Sequence, residues 1–374
     1  MKHNLIIVVS FLLLVSCANV TDEKNNIMNV DSLTECAEHV ELKYAKEFSA
    51  FYLSEYDLYL IKLNTEKDSQ QTICLYHDTL PLILPQEVLQ IRIPVNRMAT
   101  NTTTHLEFLN MLDELSSLCG ICSADYVYCD SIYRLIQSNK IVELGKTMQI
   151  DKERLLMAHP QILFLSDERE KVEDANCSMI VCHEWKEKTA LARAEWIKFF
   201  ALFFDKYSLA DSLFLETEHK YETWKHLAMA DQNKPTIFAA GSYGDTWYLT
   251  GGDGYMSALY QDANATFCLA DTMVGTVTCG LEWLLTKFQN ADYWMNCQAD
   301  CLDELDERLS LLKSVQTKNV YNFNKRSKKR EHAVISDFYE SAVAHPDLLL
   351  GDVVSVLHPD LFPEYETIYV DRLK

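Results

Sequence analysis

Beyond its first sixteen residues the sequence has no apolar run that could span a bilayer, which takes roughly twenty residues. The greasy stretches Ile162 to Leu165 and Leu348 to Leu350 read instead as buried strands or packed turns. Positive charge is scarce: 34 Lys and Arg face 55 Asp and Glu, a formal net charge of −21. That field excludes nonspecific nucleic-acid binding, which needs cations against the phosphate backbone. A nucleotide fingerprint is missing as well, because Gly251-Gly252-Asp253-Gly254 has neither the G-x-G-x-x-G spacing nor a phosphate-loop lysine. There is no G-x-S-x-G and no H-E-x-x-H, and the histidines at 159, 183, 219, 332, 345 and 358 form no base-and-orienter group, so no catalytic residue is assigned. Cys119 and Cys122 form a C-x2-C pair that no second such pair or following histidines complete into a zinc site, and no metal ligand is assigned. Of the 12 cysteines, several lie close in sequence, and one or two disulfides among buried free thiols are expected.

The strongest local signal is the N-terminus. Lys2 is followed by an apolar core from Leu5 to Val15, closed by Ser16 and Cys17, which is a secretion signal rather than a membrane span. Leu14-Val15-Ser16-Cys17 resembles a bacterial lipobox, so residues 1–16 are read as a lipoprotein signal peptide and Cys17 as the lipid attachment site. Residues 17–35 then form a polar tether. Each buried acyl methylene contributes about 0.8 kcal/mol to anchoring. The expected location is extracytoplasmic, lipid-anchored to a bacterial membrane, on the periplasmic side.

The remaining chain, 48% apolar overall, can bury two cores. Residues 36–188 read as an N-terminal α/β lobe, with strands around Tyr52 to Leu63, Thr72 to Tyr76 and Ile91 to Val95 and a short helix from Asp151 to Ala158. Thr102-Thr103-Thr104-His105 feeds a helix that begins at Leu106, as a plain N-cap or as an anion-attracting end. Residues 189–230 carry a helical pattern without proline or glycine up to Ala228, one long connecting rod with a possible break near Ser208. Residues 231–374 form the C-terminal lobe, where Thr236 to Ala240 is a strand and Gly241 to Thr246 a turn. The basic run Lys325, Arg326, Lys328, Lys329, Arg330 reads as a solvated loop, with a partner or anionic-ligand contact as the sharper alternative.

From about Ile91 to the C-terminus the chain resembles the helical-backbone (class III) periplasmic solute-binding proteins of ABC importers, in a Bacteroidetes-like lipoprotein branch. Several patterns carry the likeness in order: Pro94-Val95-Asn96-Arg97; Asp151-Lys152-Glu153-Arg154 followed by Pro160; Ala194-Glu195-Trp196-Ile197-Lys198; Trp247-Tyr248 with Gly251-Gly252; and His345-Pro346-Asp347. The resemblance implies two lobes with small, mostly parallel sheets joined by one long helix, and a glutamate on each lobe that docks the permease, Glu153 and Glu282, with Glu304 a weaker choice for the second. Apart from the family, either glutamate is a solvated helix residue.

Candidate cleft residues are Arg97, Thr103, His105, Glu184, Trp185, Trp247, Tyr248 and Tyr293, an arginine for carboxylate or catecholate oxygens and rings for a flat chelate. His105 also reads as a capping or core histidine. The expected role is delivery of an iron-siderophore or related metal complex to an ABC permease dimer with its ATPase, with cobalamin or haem as alternative ligands and no intrinsic cofactor. An adhesion or display lipoprotein and an extracytoplasmic hydrolase are the readings from other classes.

Overall fold

The computed structural model describes residues 27–374 except 66–69, 147, 270–274, 300 and 331–332. Cys17, the signal segment and most of the tether lie outside the described residues. Among the described residues no helix is long and apolar enough to cross a membrane.

Residues 30–92 build a five-stranded sheet from β1 (Glu38–His39), β2 (Phe48–Leu53), β3 (Leu58–Asn64), β4 (Gln70–Tyr76) and β5 (Leu89–Arg92), antiparallel except for the last pair. Alternation along these strands gives two apolar faces. Ala50, Ile61, Leu63, Ile73 and Leu75 join the main core, while Phe51, Leu53, Leu58, Leu60 and Cys74 form a second cluster with Leu33. Leu33 belongs to helix α1 (Val30–Glu35), whose N-cap Asn29 accepts from the Asp31 and Ser32 amides. The folded body therefore begins before residue 36, because burying Leu33 outweighs the polar character of the segment around it.

The first lobe proper contains β6 (Met98–Thr100), β7 (Leu118–Ile121) and β8 (Val142–Glu143), a small hairpin of β9 (Gly145–Lys146) and β10 (Gln149–Ile150), then β11 (Ile162–Leu165) and β12 (Ser178–Val181). Its main sheet, in the order β12-β11-β6-β7-β8, is parallel throughout. All four residues of β11 are buried, the continuous apolar pattern of a strand covered on both faces. Helices α2 (Leu106–Met111), α3 (Asp130–Gln137) and α4 (Lys152–Ala158) connect the strands.

The expected rod is three helices: α5 (Ala190–Ala194), α6 (Trp196–Leu202) and α7 (Tyr207–Met229). Asp205 takes a left-handed φ of 58°, and Lys206 Nζ turns to the carbonyl of Leu112 at 2.7 Å, which ends α6 ahead of Ser208. Every residue of α6 is buried, with Phe199, Phe200 and Phe203 packed around Phe164. The long helix of the connection is the 23-residue α7.

The second lobe has β13 (Thr236–Tyr243), β14 (Thr246–Thr250), β15 (Thr266–Phe267), β16 (Thr276–Cys279), β17 (Tyr293–Met295), β18 (Val320–Asn322), a separate hairpin of β19 (Ser327–Lys329) and β20 (Val334–Ser336), and finally β21 (Asp371–Arg372). In the order β16-β14-β13-β17-β18-β21, the central strands β13, β17 and β18 run parallel and the outer pairs antiparallel. Gly241 lies within β13 rather than in a turn. Helices α8 (Tyr255–Asp262), α9 (Leu281–Phe288), α10 (Lys313–Gln316) and α11 (Pro346–Leu357) complete the lobe, and α11 packs along α7. Leu348 to Leu350 are therefore helical, their three consecutive apolar side chains matched to a helix buried on nearly every side. Buried Asp352 accepts the amides of Ile368, Tyr369 and Val370 and so ties the C-terminal segment to α11.

The expected disulfides are absent: all eleven described cysteines are free. Their thiols have separate surroundings, Cys119 donating to the Met98 carbonyl and Cys297 to Asn322, while burial pushes Cys74 and Cys122 up to about 12.

A cleft between the carboxyl ends of two sheets

Parallel strands leave their carboxyl ends free of crossover helices, and ligands of α/β proteins bind in the crevice there. Here the crevices of both lobes face each other. Asn101 to Thr103 follow β6 and Cys122 and Ser123 follow β7; opposite them stand Asn296 and Gln298 after β17 and Asn322 to Asn324 at the end of β18. Together with Tyr126, Tyr339 and the β19–β20 hairpin they enclose a cavity of about 740 Å³. A second cavity of about 660 Å³, lined by Trp185, Tyr248, Tyr255 and Met256, adjoins it and shares Asn296 and Gln298.

The shared loop is tightly specified. Asn322 accepts from the Gln298 amide at 2.8 Å and donates to the Ala299 carbonyl at 2.7 Å. Asn296 and Gln298 both hold left-handed φ values, 56° and 63°, a conformation that costs an L-residue about 1 kcal/mol or more. Strain of this kind is retained where the surroundings dictate it, often at binding sites.

Three of the residues expected in the cleft line it: Thr103 in the larger cavity, Trp185 and Tyr248 in the smaller. The Trp185 indole donates to the Ser166 carbonyl at 3.1 Å, which fixes the ring at the edge of the first lobe. His105 and Glu184 are fully buried behind this wall. His105 Nδ1 lies 2.8 Å from Thr100 Oγ1 and its Nε2 3.4 Å from Glu184 Oε1, which also accepts from Thr104 Oγ1. Burial works against the Glu184 charge, but the charges of His105 and Arg193 outweigh it and hold its carboxyl below the usual value. These two residues brace the Thr102–His105 turn from below, and Thr102 acts as its plain N-cap.

Arg97 and Tyr293 do not line the cleft, and Trp247 lines neither of these two cavities but a third, of about 590 Å³, that meets them at Gln298. Arg97 precedes β6 and therefore stands at the opposite end of the sheet, where it donates to the carbonyls of Ala158 and His159 and caps α4. Tyr293 opens β17 at that same far end and stacks on Tyr321. Trp247 is buried against Trp294, with ring centroids 5.7 Å apart. The residues that sequence reasoning passed over are Tyr126, Tyr339 and the amides at 296, 298 and 324. Their signal was present in Trp294-Met295-Asn296 and Val320-Tyr321-Asn322-Phe323-Asn324, where an apolar strand ends on amide side chains.

The basic run is solvated only in part: Lys325, Arg326 and Lys329 are exposed, but two of its cations are not free. Lys328 and Arg330 reach across to Asp130 at 2.8 and 2.9 Å, and lie over the rings of Tyr128 and Tyr133. Hydrogen bonds from both cations hold the Asp130 carboxyl below its ordinary value. Nearby Glu340 accepts from the amides of Tyr128 at 2.6 Å and Cys129 at 2.9 Å. Burial pushes the Glu340 carboxyl up to about 7 against the pull of those two bonds. One side of the cleft is thus latched by several contacts, while Lys188 and Asp253 pair at 2.7 Å beside the smaller cavity.

Glu153 and Glu282 occupy equivalent places. Each is exposed in the first turn of a helix, α4 or α9, that leads into a strand of the central sheet, β11 or β17. Because each helix runs back along the strand it feeds, both glutamates lie at the cleft end of their lobes.

Known proteins share this fold. An uncharacterized lipoprotein of Methanocaldococcus jannaschii is 20% identical over 301 residues, covering 74% of this chain and 68% of the relative. A possible iron-binding (periplasmic solute-binding) protein from Staphylococcus epidermidis superposes with a TM-score of 0.55 at 15% identity, over 71% of this chain and all of that one. A periplasmic vitamin B12 binding protein of Vibrio cholerae gives 0.54 at 13%, over 73% and 99%. The family model described as periplasmic binding protein matches residues 98–326, from the first strand that opens on the cleft to the start of the latching hairpin, and the chain belongs to that family of periplasmic binding proteins.

Proposed function

We propose that this protein is a lipid-anchored carrier that takes up a small-molecule metal complex in the cleft and hands it to an ABC permease dimer and its ATPase. The observation that carries the reading is the pair of adjoining cavities between the carboxyl ends of two sheets, with Asn296 and Gln298 common to both. Their combined size suits a ligand larger than an amino acid or sugar. Rings at the rim, Tyr126, Trp185, Tyr248 and Tyr339, offer flat faces to a chelate or macrocycle. Similarity to proteins described as iron-binding and vitamin B12 binding supports the metal-complex class. Acylation at Cys17 provides the anchor, a reading supported by the lipobox and by a relative described as a lipoprotein. Glu153 and Glu282, one per lobe, meet the permease and set orientation and encounter rate more than affinity.

The test is native mass spectrometry of the purified full-length protein, released from detergent micelles after incubation with an equimolar panel of ferric siderophores, cobalamin and haem. One retained adduct of defined mass supports the reading. If refolded, ligand-stripped protein retains no member of the panel, the metal-complex reading is wrong.

A further inference from the structure

Among the described residues the walls of these two cavities are polar and carry little unpaired charge. Among the described residues the larger cavity has one charged lining side chain, Lys146, and it faces Asp125 and Glu143 at 3.5 and 3.9 Å. The smaller cavity has Lys186, Glu187, Lys188 and Asp253. Lys188 and Asp253 neutralise each other, and Glu187 is occupied by the amides of Lys46 and Glu47 and the indole of Trp196. Lys186 lies over the Trp185 ring at 5.4 Å and is the lining cation that no carboxylate neutralises among the described residues. No arginine or histidine lines either cavity among the described residues. What the cavities offer instead are amides and hydroxyls, notably Asn296, Gln298, Asn324, Ser327 and Ser336, between aromatic rings.

We infer that the cleft selects a metal complex that is uncharged as a whole and fringed with amide, hydroxyl or hydroxamate groups, and that it rejects polyanionic complexes. The inference rests on the carrier reading above and narrows its ligand. Neutral hydrogen-bonding walls satisfy a neutral polar fringe, whereas a polyanion met by the single unneutralised cation Lys186 loses its hydration with little in return. Among the described residues the carboxylates lining these two cavities, Glu187 and Asp253, are already engaged, so a cationic complex gains little there either. The chain as a whole, with its formal charge of −21, also repels an approaching polyanion.

The experiment is a fluorescence titration of the full-length protein in detergent with four probes: ferrichrome, an uncharged trihydroxamate; cyanocobalamin, an uncharged amide-fringed corrinoid; ferric enterobactin, a trianion; and haemin, which carries two carboxylates. Binding of ferrichrome or cyanocobalamin about 100-fold more tightly than either anionic probe is the expected result, and which of the two binds identifies the source of the neutral fringe. An anionic probe bound as tightly as the neutral ones overturns this inference while leaving the carrier reading intact. Binding of none of the four overturns both. Thr103→Arg on one wall and Asn324→Arg on the other should each raise affinity for ferric enterobactin at least about tenfold, and no gain from either means the neutral walls are not what rejects it.

Discussion

The side chain of Gln298 lies across the α-carbon of Gly241, so closely that a methyl group at position 241 would come within 2.4 Å of the Gln298 amide carbon. The glycine lets a cleft residue rest on strand β13, and the backbone bond to Asn322 holds the loop above it. Gly241→Ala displaces the flexible Gln298 side chain rather than the strand. The expected stability cost is about 1 kcal/mol. Loss of one ligand hydrogen bond lowers affinity roughly three- to tenfold. Parallel thermal melts and titrations separate the two effects, and unchanged affinity would exclude Gln298 from ligand contact.

Glu340 makes stability depend on pH. Burial pushes its carboxyl up to about 7 in the folded protein from the 4.5 ordinary for a glutamate, which it regains when unfolded. Between those values the folded state keeps a proton that the unfolded state has lost, so this group's contribution is complete below about 4.5 and is lost as pH rises through 7. The difference should approach about 3 kcal/mol. Chemical denaturation of wild type and Glu340→Gln across pH 4 to 8 should show the extra fall in wild type alone. Parallel curves would refute the assignment.

Arg97→Ala removes a cap from α4 without touching the cleft. Stability should drop by about 1 kcal/mol while ligand affinity stays the same. A loss of affinity with unchanged melting would return Arg97 to the binding site.

The free thiols are countable. In denaturant without reductant, at least the eleven described cysteines should react with a thiol reagent, and reductant should leave the melting temperature unchanged. Each disulfide would lower the count by two.

Glu153→Ala and Glu282→Ala, together, should leave ligand binding intact and lower ligand-stimulated ATPase activity of the reconstituted importer severalfold. An undiminished rate places the docking contact elsewhere. Either change should shift stability by less than about 0.5 kcal/mol, because both side chains are exposed.

Strands with strong apolar patterns were legible in advance: Ile162 to Leu165 is β11, and Thr236 to Ala240 opens β13. Their burial follows from the local run itself. The long helix was legible from Tyr207 on, and the break expected near Ser208 falls just before it, where a left-handed Asp205 and the Lys206 contact to Leu112 stop α6. Among the cleft residues, Trp185 and Tyr248 were legible as polar-tipped rings beside turns. Arg97 was not, because its chemistry suits a ligand while its place at the start of β6 directs it to the far end of the sheet.

The sequence by itself determined the broad class of this protein: the excess of acidic residues, the strongly apolar strands, and membership of a periplasmic binding protein family. These are properties of short segments and composition, which act wherever the chain goes. Only the tertiary structure decided which side chains share the cleft and that the basic run near residue 328 meets Asp130, 198 residues earlier. Those outcomes depend on which strand ends face each other and on which charges are left unpaired once the lobes pack, and neither is encoded in any one stretch of residues.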